Sequence, residues 1–238
     1  MEQIISAGLA ELGLMGRIPA DAPTRLARYG QLLLEKNQVM NLTAIRDPEG
    51  VARLHMLDCA ALLKFCDFEH KTLLDVGTGA GFPGMVLNLL TPSLKVTLLD
   101  SLNKRLDWLS AVSEELDGAQ TVSTAHGRAE EWALKKSYRD SFDLVTARAV
   151  ADLRILCELC LPFVKAGGQF LAMKSTGSGQ ELTAAAHAIK LLGGRVSAVE
   201  DYTIPGTEIT HRVILIEKIA PTLKGYPRRW VKIQKEPL

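Results

Sequence analysis

The sequence predicts an α/β fold: a mostly parallel, seven-stranded sheet that ends in an antiparallel hairpin and is preceded by a small helical extension. Three observations carry that expectation. Short apolar strand candidates alternate with helix-like stretches from residue 72 onward, with no hairpin turn between the first five, the pattern of right-handed βαβ units covered on both faces. A glycine cluster, Gly77, Gly79, Gly81 and Gly84, directly follows the first strand. An acid, Asp100, ends the second.

The elements follow in order. Residues 1–70 read as helical. From Thr24 to Met40, Leu26, Tyr29, Leu33 and Met40 fall on one helix face. Asp47 is the expected N-cap, and Pro48 the first residue, of a second helix, DPEGVARLHMLDCAALLKF. TLLDVG, VTLLD (96–100), QTVSTA (120–125), FDLVTA (142–147) and GQFLAMK (168–174) read as strands, with helices over 84–91, 103–117, 128–136 and 151–165 between them. A Gly/Ser-rich loop (STGSGQ) and a helix over 181–192 lead to RVSAVEDYTI and HRVILIEKI, which pair antiparallel. The expected organisation is a helical extension over 1–70, a sheet domain over 71–220 and an irregular basic tail over 221–238.

Composition removes several function classes. The 238 residues are 47% hydrophobic and carry a net charge of only +1, which excludes a disordered chain and a simple polybasic binder. The balance is uneven: residues 218–238 hold six Lys or Arg and one acid, leaving 22 bases and 26 acids elsewhere. MEQIISAGLAELGLMGRIPAD lacks the basic start and unbroken apolar core of a secretory signal, and no apolar run approaches the roughly 18 residues of a span, so a cytoplasmic location without membrane contact is expected. The four cysteines are expected to be free thiols in such a compartment. Cys157-x-x-Cys160 lies in an apolar helix, and Cys59 and Cys66 do not complete a ligand spacing, so core thiols and no metal are expected.

The glycine turn carries the first chemical signal. A strand entering such a turn and then a helix lets backbone approach a ligand closely. Gly79-x-Gly81-x-x-Gly84 matches the dinucleotide fingerprint, while Asp75-x-Gly77-x-Gly79-x-Gly81 resembles motif I of class I S-adenosylmethionine (AdoMet) methyltransferases. Asp100 suits both, since a carboxylate there takes the hydroxyls of a ribose. A dehydrogenase needs a second region for substrate and a hydride-transfer acid–base, and after the fifth strand only a helix, a hairpin and a tail remain. That favours a Rossmann-like methyltransferase. An NAD oxidoreductase and an AdoMet-binding regulatory or RNA-binding module without catalysis are the alternatives.

Longer stretches resemble one family. Asn41-Leu42-Thr43-Ala44-Ile45, His55-Met56-Leu57-Asp58, Leu74 through Gly84, Leu99-Asp100-Ser101 with Lys104-Arg105, Gly127-Arg128-Ala129-Glu130-Glu131, Thr146-Ala147-Arg148-Ala149-Val150-Ala151 and Lys174 are similar, in order, to the RsmG (GidB) proteins, guanine-N7 methyltransferases of 16S ribosomal RNA. Departures are Met85-Val86 after Gly84, Cys59 after Asp58, and Ser175-Thr176 after Lys174.

The resemblance implies AdoMet as cofactor, 16S rRNA or the small ribosomal subunit as partner, and a monomer. It implies Gly77 and Gly79 against the methionine part of AdoMet, Phe82 touching the cofactor, Asp100 on the ribose, and Ala129-Glu130 by the adenine. Asp75 either reaches the ammonium or caps the turn. Arg148 falls at the cofactor–substrate junction and, with Lys174, is the expected catalytic group. His55 and Asp58 share a helix face and either line the entrance or pair structurally. Lys104, Arg128, Arg148, Lys174, Arg228 and Arg229, with His55, are the expected RNA contacts; deleting 221–238 is expected to weaken RNA binding and spare AdoMet binding. No Asn/Asp-Pro-Pro-Tyr/Phe and no Pro-Cys follows the fourth strand, so exocyclic-amine and pyrimidine C5 methylation are disfavoured.

Overall fold

The computed structural model describes residues 1–118, 120–148 and 151–238; Ala149 and Val150 of the fourth-strand motif lie outside the described residues. In the extension, α1 (Glu2–Glu11) and α2 (Ala22–Met40) pack together, and Leu26, Tyr29 and Leu33 are buried as the helical spacing predicts, while Met40 is only partly covered. Asp47 caps α3 (Pro48–Val51) by accepting from the Gly50 amide at 2.7 Å, with Pro48 at the first position. The helix then widens into a π turn over Ala52–Leu57 before α4 (Asp58–Ala60) and a 3-10 turn over Ala61–Lys64. A single long helix was the expectation. His55 falls inside the widened turn, a feature common beside functional sites.

The sheet then alternates with its helices: β1 (Thr72–Val76), α5 (Gly84–Leu90), β2 (Lys95–Asp100), α6 (Asn103–Glu115), β3 (Val122–His126), α7 (Ala129–Trp132), β4 (Phe142–Arg148), α8 (Leu153–Cys160), β5 (Val164–Ser175), α9 (Gly179–Leu191), β6 (Gly194–Thr203) and β7 (Thr210–Lys218). The spatial order is β3-β2-β1-β4-β5-β7-β6, parallel through β5, with β7 antiparallel to both β5 and β6. The winding reverses between β1 and β4, which opens a crevice at their carboxyl ends. Because β7 runs against the others, its first residues lie at that same edge: His211 pairs with Ser175 of β5.

Two clusters fill the core, one on each sheet face. One joins Ile5, Leu26, Met56 and Leu57 of the extension to Met85, Leu98 and Leu109, so the extension shares a core with the α5–α6 face. The other joins Val145, Phe170 and Ile214 to α8, α9 and the tail through Ile233. Three expectations are corrected here. The helix expected over 128–136 is one turn, α7. That over 151–165 ends at Cys160, and β5 starts at Val164. The tail is irregular over 221–229 but ends in α10 (Trp230–Lys235), and it is held by Arg139, which donates to the carbonyls of Thr222 and Tyr226 at 2.8 and 2.7 Å.

Candidate active site

The turn after β1 is built around Asp75. This fully buried carboxylate accepts from the Thr78 hydroxyl at 2.6 Å, the Gly84 amide at 3.0 Å and the Thr146 hydroxyl at 3.1 Å. Burial pushes its pKa up in spite of those donors. Of its two expected roles, capping the turn is what the geometry supplies.

The glycines divide into two pairs. Gly77 and Gly79 adopt left-handed φ of 69° and 60° and line a cavity of about 410 Å³. A Cβ on Gly79 would meet nothing nearer than 4.0 Å, so the backbone there is open to a ligand. Gly81 and Gly84 serve packing: a Cβ on Gly81 would strike the Tyr29 hydroxyl, and one on Gly84 would press on Leu98 and Asp75. Tyr29 of α2 donates to the Ala80 carbonyl, so the helical extension braces the turn.

Asp100 borders the same cavity, its carboxylate held by the Gly79 amide (2.9 Å) and the Leu102 amide (2.9 Å), with Arg105 3.5 Å away. Phe82 forms another wall, its ring stacked on His55 at 4.5 Å. Ala129 and Glu130 open α7 beside the end of β3, which pairs with β2 at Asp100, but neither lines the cavity. A backbone-lined pocket with one fixed carboxylate, an aromatic wall and Leu42 fits the amino-acid chain, ribose and base of AdoMet.

A second cavity, about 430 Å³, lies next to the first and is lined by Leu54, Asp58, Met173, Lys174, Ser175 and His211. Arg148 and His55 border both cavities. Arg148 donates from Nη1 to Asp58 Oδ2 at 3.1 Å and to the Leu54 carbonyl at 3.2 Å, and from Nη2 to His55 Nδ1 at 3.0 Å. A guanidinium only donates, so His55 Nδ1 accepts and its Nε2 proton goes to Thr43 Oγ1, 2.8 Å away. Burial, reinforced by Arg148, lowers the His55 pKa to about 4 and keeps the ring neutral. Burial opposes the Arg148 charge, but the acids around it outweigh that and raise its pKa further.

Asp58 is buried and accepts on Oδ1 from Tyr202 Oη and from His211 Nδ1, each at 2.8 Å. Burial alone would raise its pKa; His211, Arg148 and Tyr202 hold it below the ordinary range instead. The bond to Asp58 raises the pKa of His211. Lys174 reaches this cavity with its ammonium on Glu181 Oε2 (2.7 Å) and the Ala151 carbonyl (3.0 Å).

The expected basic rim separates into two groups. Lys104, Arg128 and Arg229 are exposed, Arg128 lying 5.9 Å over the Trp230 ring. Arg148 and Lys174 are ion-paired inside the crevice. Arg228 lines neither cavity. Its guanidinium, expected to meet RNA, is forked onto Glu158, a fully buried acid of α8. Sequence reasoning missed His211 and Tyr202. The available signal was the antiparallel last strand, whose first polar residue must start at the ligand edge. Cys157, Cys160 and Cys59 are buried thiols with raised pKa values, in keeping with core packing. Among the described residues, no group of three His, Cys, Asp or Glu side chains could hold a metal, and no helix is long and apolar enough to cross a membrane.

The sheet order, the reversed C-terminal hairpin and a ligand crevice opened by a glycine turn define the class I AdoMet-dependent methyltransferase fold. Solved structures agree: a SAM-dependent O-methyltransferase from Thermotoga maritima aligns with TM-score 0.54 and 17% identity, over 81% of this chain and 73% of that one. A geranyl diphosphate C-methyltransferase from Streptomyces coelicolor, solved with S-adenosyl-L-homocysteine, aligns with TM-score 0.52 and 12% identity, over 68% and 78%. A family model described as rRNA small subunit methyltransferase G matches residues 23–210, and the chain belongs to that GidB family. Proteins named ribosomal RNA small subunit methyltransferase G are 43% identical in Alkaliphilus metalliredigens (100% of this chain, 98% of the relative) and 42% identical in Exiguobacterium sibiricum (100% and 98%). In Clostridium perfringens the relative is 42% identical over 88% of both. The NAD-oxidoreductase alternative is not favoured.

Proposed function

We propose that this protein transfers a methyl group from AdoMet to N7 of a guanine in 16S rRNA, in the cytoplasm, by direct in-line transfer without a covalent intermediate. The observation that carries this reading is the pair of adjoining cavities sharing Arg148 and His55 as their common wall: one fits a nucleoside cofactor and the other has room for an acceptor base beside it. Bound AdoMet supplies an electrophilic methyl group. The chain supplies position. Gly77 and Gly79 give close backbone approach, Asp100 fixes the ribose, and Phe82 with His55 forms a flat wall beside the transfer point.

N7 of guanine carries a free lone pair at neutral pH, so attack requires alignment rather than prior deprotonation. Among the described residues no cysteine thiolate is poised in the crevice; burial raises the nearby Cys59 thiol far above neutrality. Since N7 lies in the deep groove of duplex RNA, an accessible loop or an assembling particle is the natural acceptor. The exposed Lys104, Arg128 and Arg229 would meet phosphates around it. The test is to map 7-methylguanine in small-subunit rRNA from cells lacking the protein; rRNA with its 7-methylguanine unchanged rejects the reading.

A further inference from the structure

The acceptor-side cavity contains a pairing that orientation alone does not require. His211, from the first turn of the last strand, donates Nδ1–H to the buried Asp58, since a carboxylate only accepts. Tyr202 of β6 and Arg148 of β4 hold the same carboxylate from two other elements, so its position and charge are fixed. The ring of His211 is then clamped through one nitrogen and packed edge-on against Tyr202 at 6.3 Å. Its Nε2 makes no hydrogen bond among the described residues, and the residue lines the acceptor-side cavity. The other charged groups facing this cavity are already committed: Arg148 to Asp58 and Lys174 to Glu181. His55, on the shared wall, is kept neutral with both nitrogens engaged.

We propose that His211, oriented by Asp58, is the acceptor-side base that takes the N1 proton of the guanine as N7 is methylated. This rests on the guanine-N7 reading. The N7 lone pair forms the new N–C bond while the C–S bond breaks and its electrons remain on sulfur. The ring acquires a positive charge, which acidifies N1–H. That proton moves to Nε2 of neutral His211, the N–H bonding pair stays on the base as the charge is discharged, and the new imidazolium lies against the Asp58 carboxylate. The proton passes to water when the product leaves. A hydrogen bond from N1–H to Nε2 strengthens as charge develops, so it stabilises the transition state more than the bound substrate. The same contact selects guanine, because adenine carries no N1 proton.

The experiment measures single-turnover methyl transfer, by full-length protein, to small subunits from cells lacking it, from about pH 6 to about pH 9. Wild type is expected to form 7-methylguanine with a rate that rises with pH through one ionisation. His211→Asn keeps a donor on Asp58 and removes Nε2. It is expected to lose about 10²-fold in rate, lose the pH dependence, and keep wild-type AdoMet affinity by calorimetry. Tyr202→Phe withdraws one donor from Asp58 and is expected to move the ionisation to higher pH. An unchanged rate in His211→Asn overturns the proposal, as does a loss confined to RNA affinity, a parallel loss of AdoMet affinity, or an unmoved ionisation in Tyr202→Phe. A wild-type product other than 7-methylguanine overturns the guanine reading itself and this base with it.

Discussion

Arg148 and Asp58 meet at 3.1 Å where β4 ends against the helical extension, their side chains 16% and 2% exposed. The pair joins two segments 90 residues apart, and Arg148 lies where the two cavities meet. Both charges are removed from water, so their mutual contact compensates their burial and neither is neutral to remove.

Arg148→Ala is therefore expected to lower stability by about 3 kcal/mol, because Asp58 loses its guanidinium partner inside the fold. Arg148→Lys restores charge but not the fork that reaches Asp58, the Leu54 carbonyl and His55 together. It should fold better than the Ala variant and still transfer methyl groups at least about 10-fold more slowly. Denaturant unfolding alongside methyl transfer checks both, and an Arg148→Ala protein as stable as wild type refutes the account.

His55 makes stability depend on pH. Its folded pKa is about 4 and its unfolded value 6.5, so between these limits the unfolded chain binds the extra proton. Stability is then full above the unfolded value and declines as pH falls towards the folded one, by at most about 3 kcal/mol at ~1.4 kcal/mol per unit. His211 acts in the opposite sense: its raised pKa contributes stability at low pH that is lost as pH rises through the folded value. Melting temperatures of wild type and His55→Gln, measured from neutral pH to pH 4.5, should converge as pH falls. Parallel curves would contradict a buried neutral imidazole.

Most of the fold was legible because strand and helix periodicities switch cleanly at residue 72 and local signals mark the joints, as at Asp47-Pro48 and Gly77. The cofactor side of the site was legible for the same reason: turn, glycines and Asp100 are contiguous in sequence and fixed by one βαβ unit. The acceptor side was legible only in part: Arg148, Lys174, His55 and Asp58 were expected near it, Tyr202 and His211 were not. Asp58, Arg148, Tyr202 and His211 come from four elements, and only the antiparallel return of β7 brings His211 to the crevice. The role of Asp75 was ambiguous because a turn cap and a ligand contact use the same residue type at the same place. The tail misled because its prolines and charges resemble a loose arm, while the acid that anchors it, Glu158, sits inside an apolar helix.

Asp100 is the residue on which cofactor affinity should turn. Its carboxylate is already oriented by the Gly79 and Leu102 amides, so little ordering remains when a ribose arrives. Asp100→Ala should weaken AdoMet binding by about 2 kcal/mol, roughly 30-fold, measured by calorimetry. Lys104→Ala, on the exposed first turn of α6, should leave that affinity unchanged. Equal affinities for Asp100→Ala and wild type would remove Asp100 from the site.

The tail must be probed by charge rather than by deletion. Glu158 accepts from the Arg228 guanidinium at 2.8 and 2.6 Å and from its amide at 2.8 Å, and the buried Lys218 ammonium bonds Thr222 at 2.7 Å. Removing 221–238 would strip partners from two buried charges and uncover the part of the core that Ile233 covers, so destabilisation of about 3–5 kcal/mol is expected, and AdoMet binding would fall with the fold. Arg229 and Lys232 are exposed and bear no such duty. Arg229→Glu with Lys232→Glu should keep the melting temperature and AdoMet affinity, weaken binding to small-subunit RNA, and reduce the slope of log affinity against log salt by about 2. An unchanged slope would place the RNA elsewhere on the surface, away from α10.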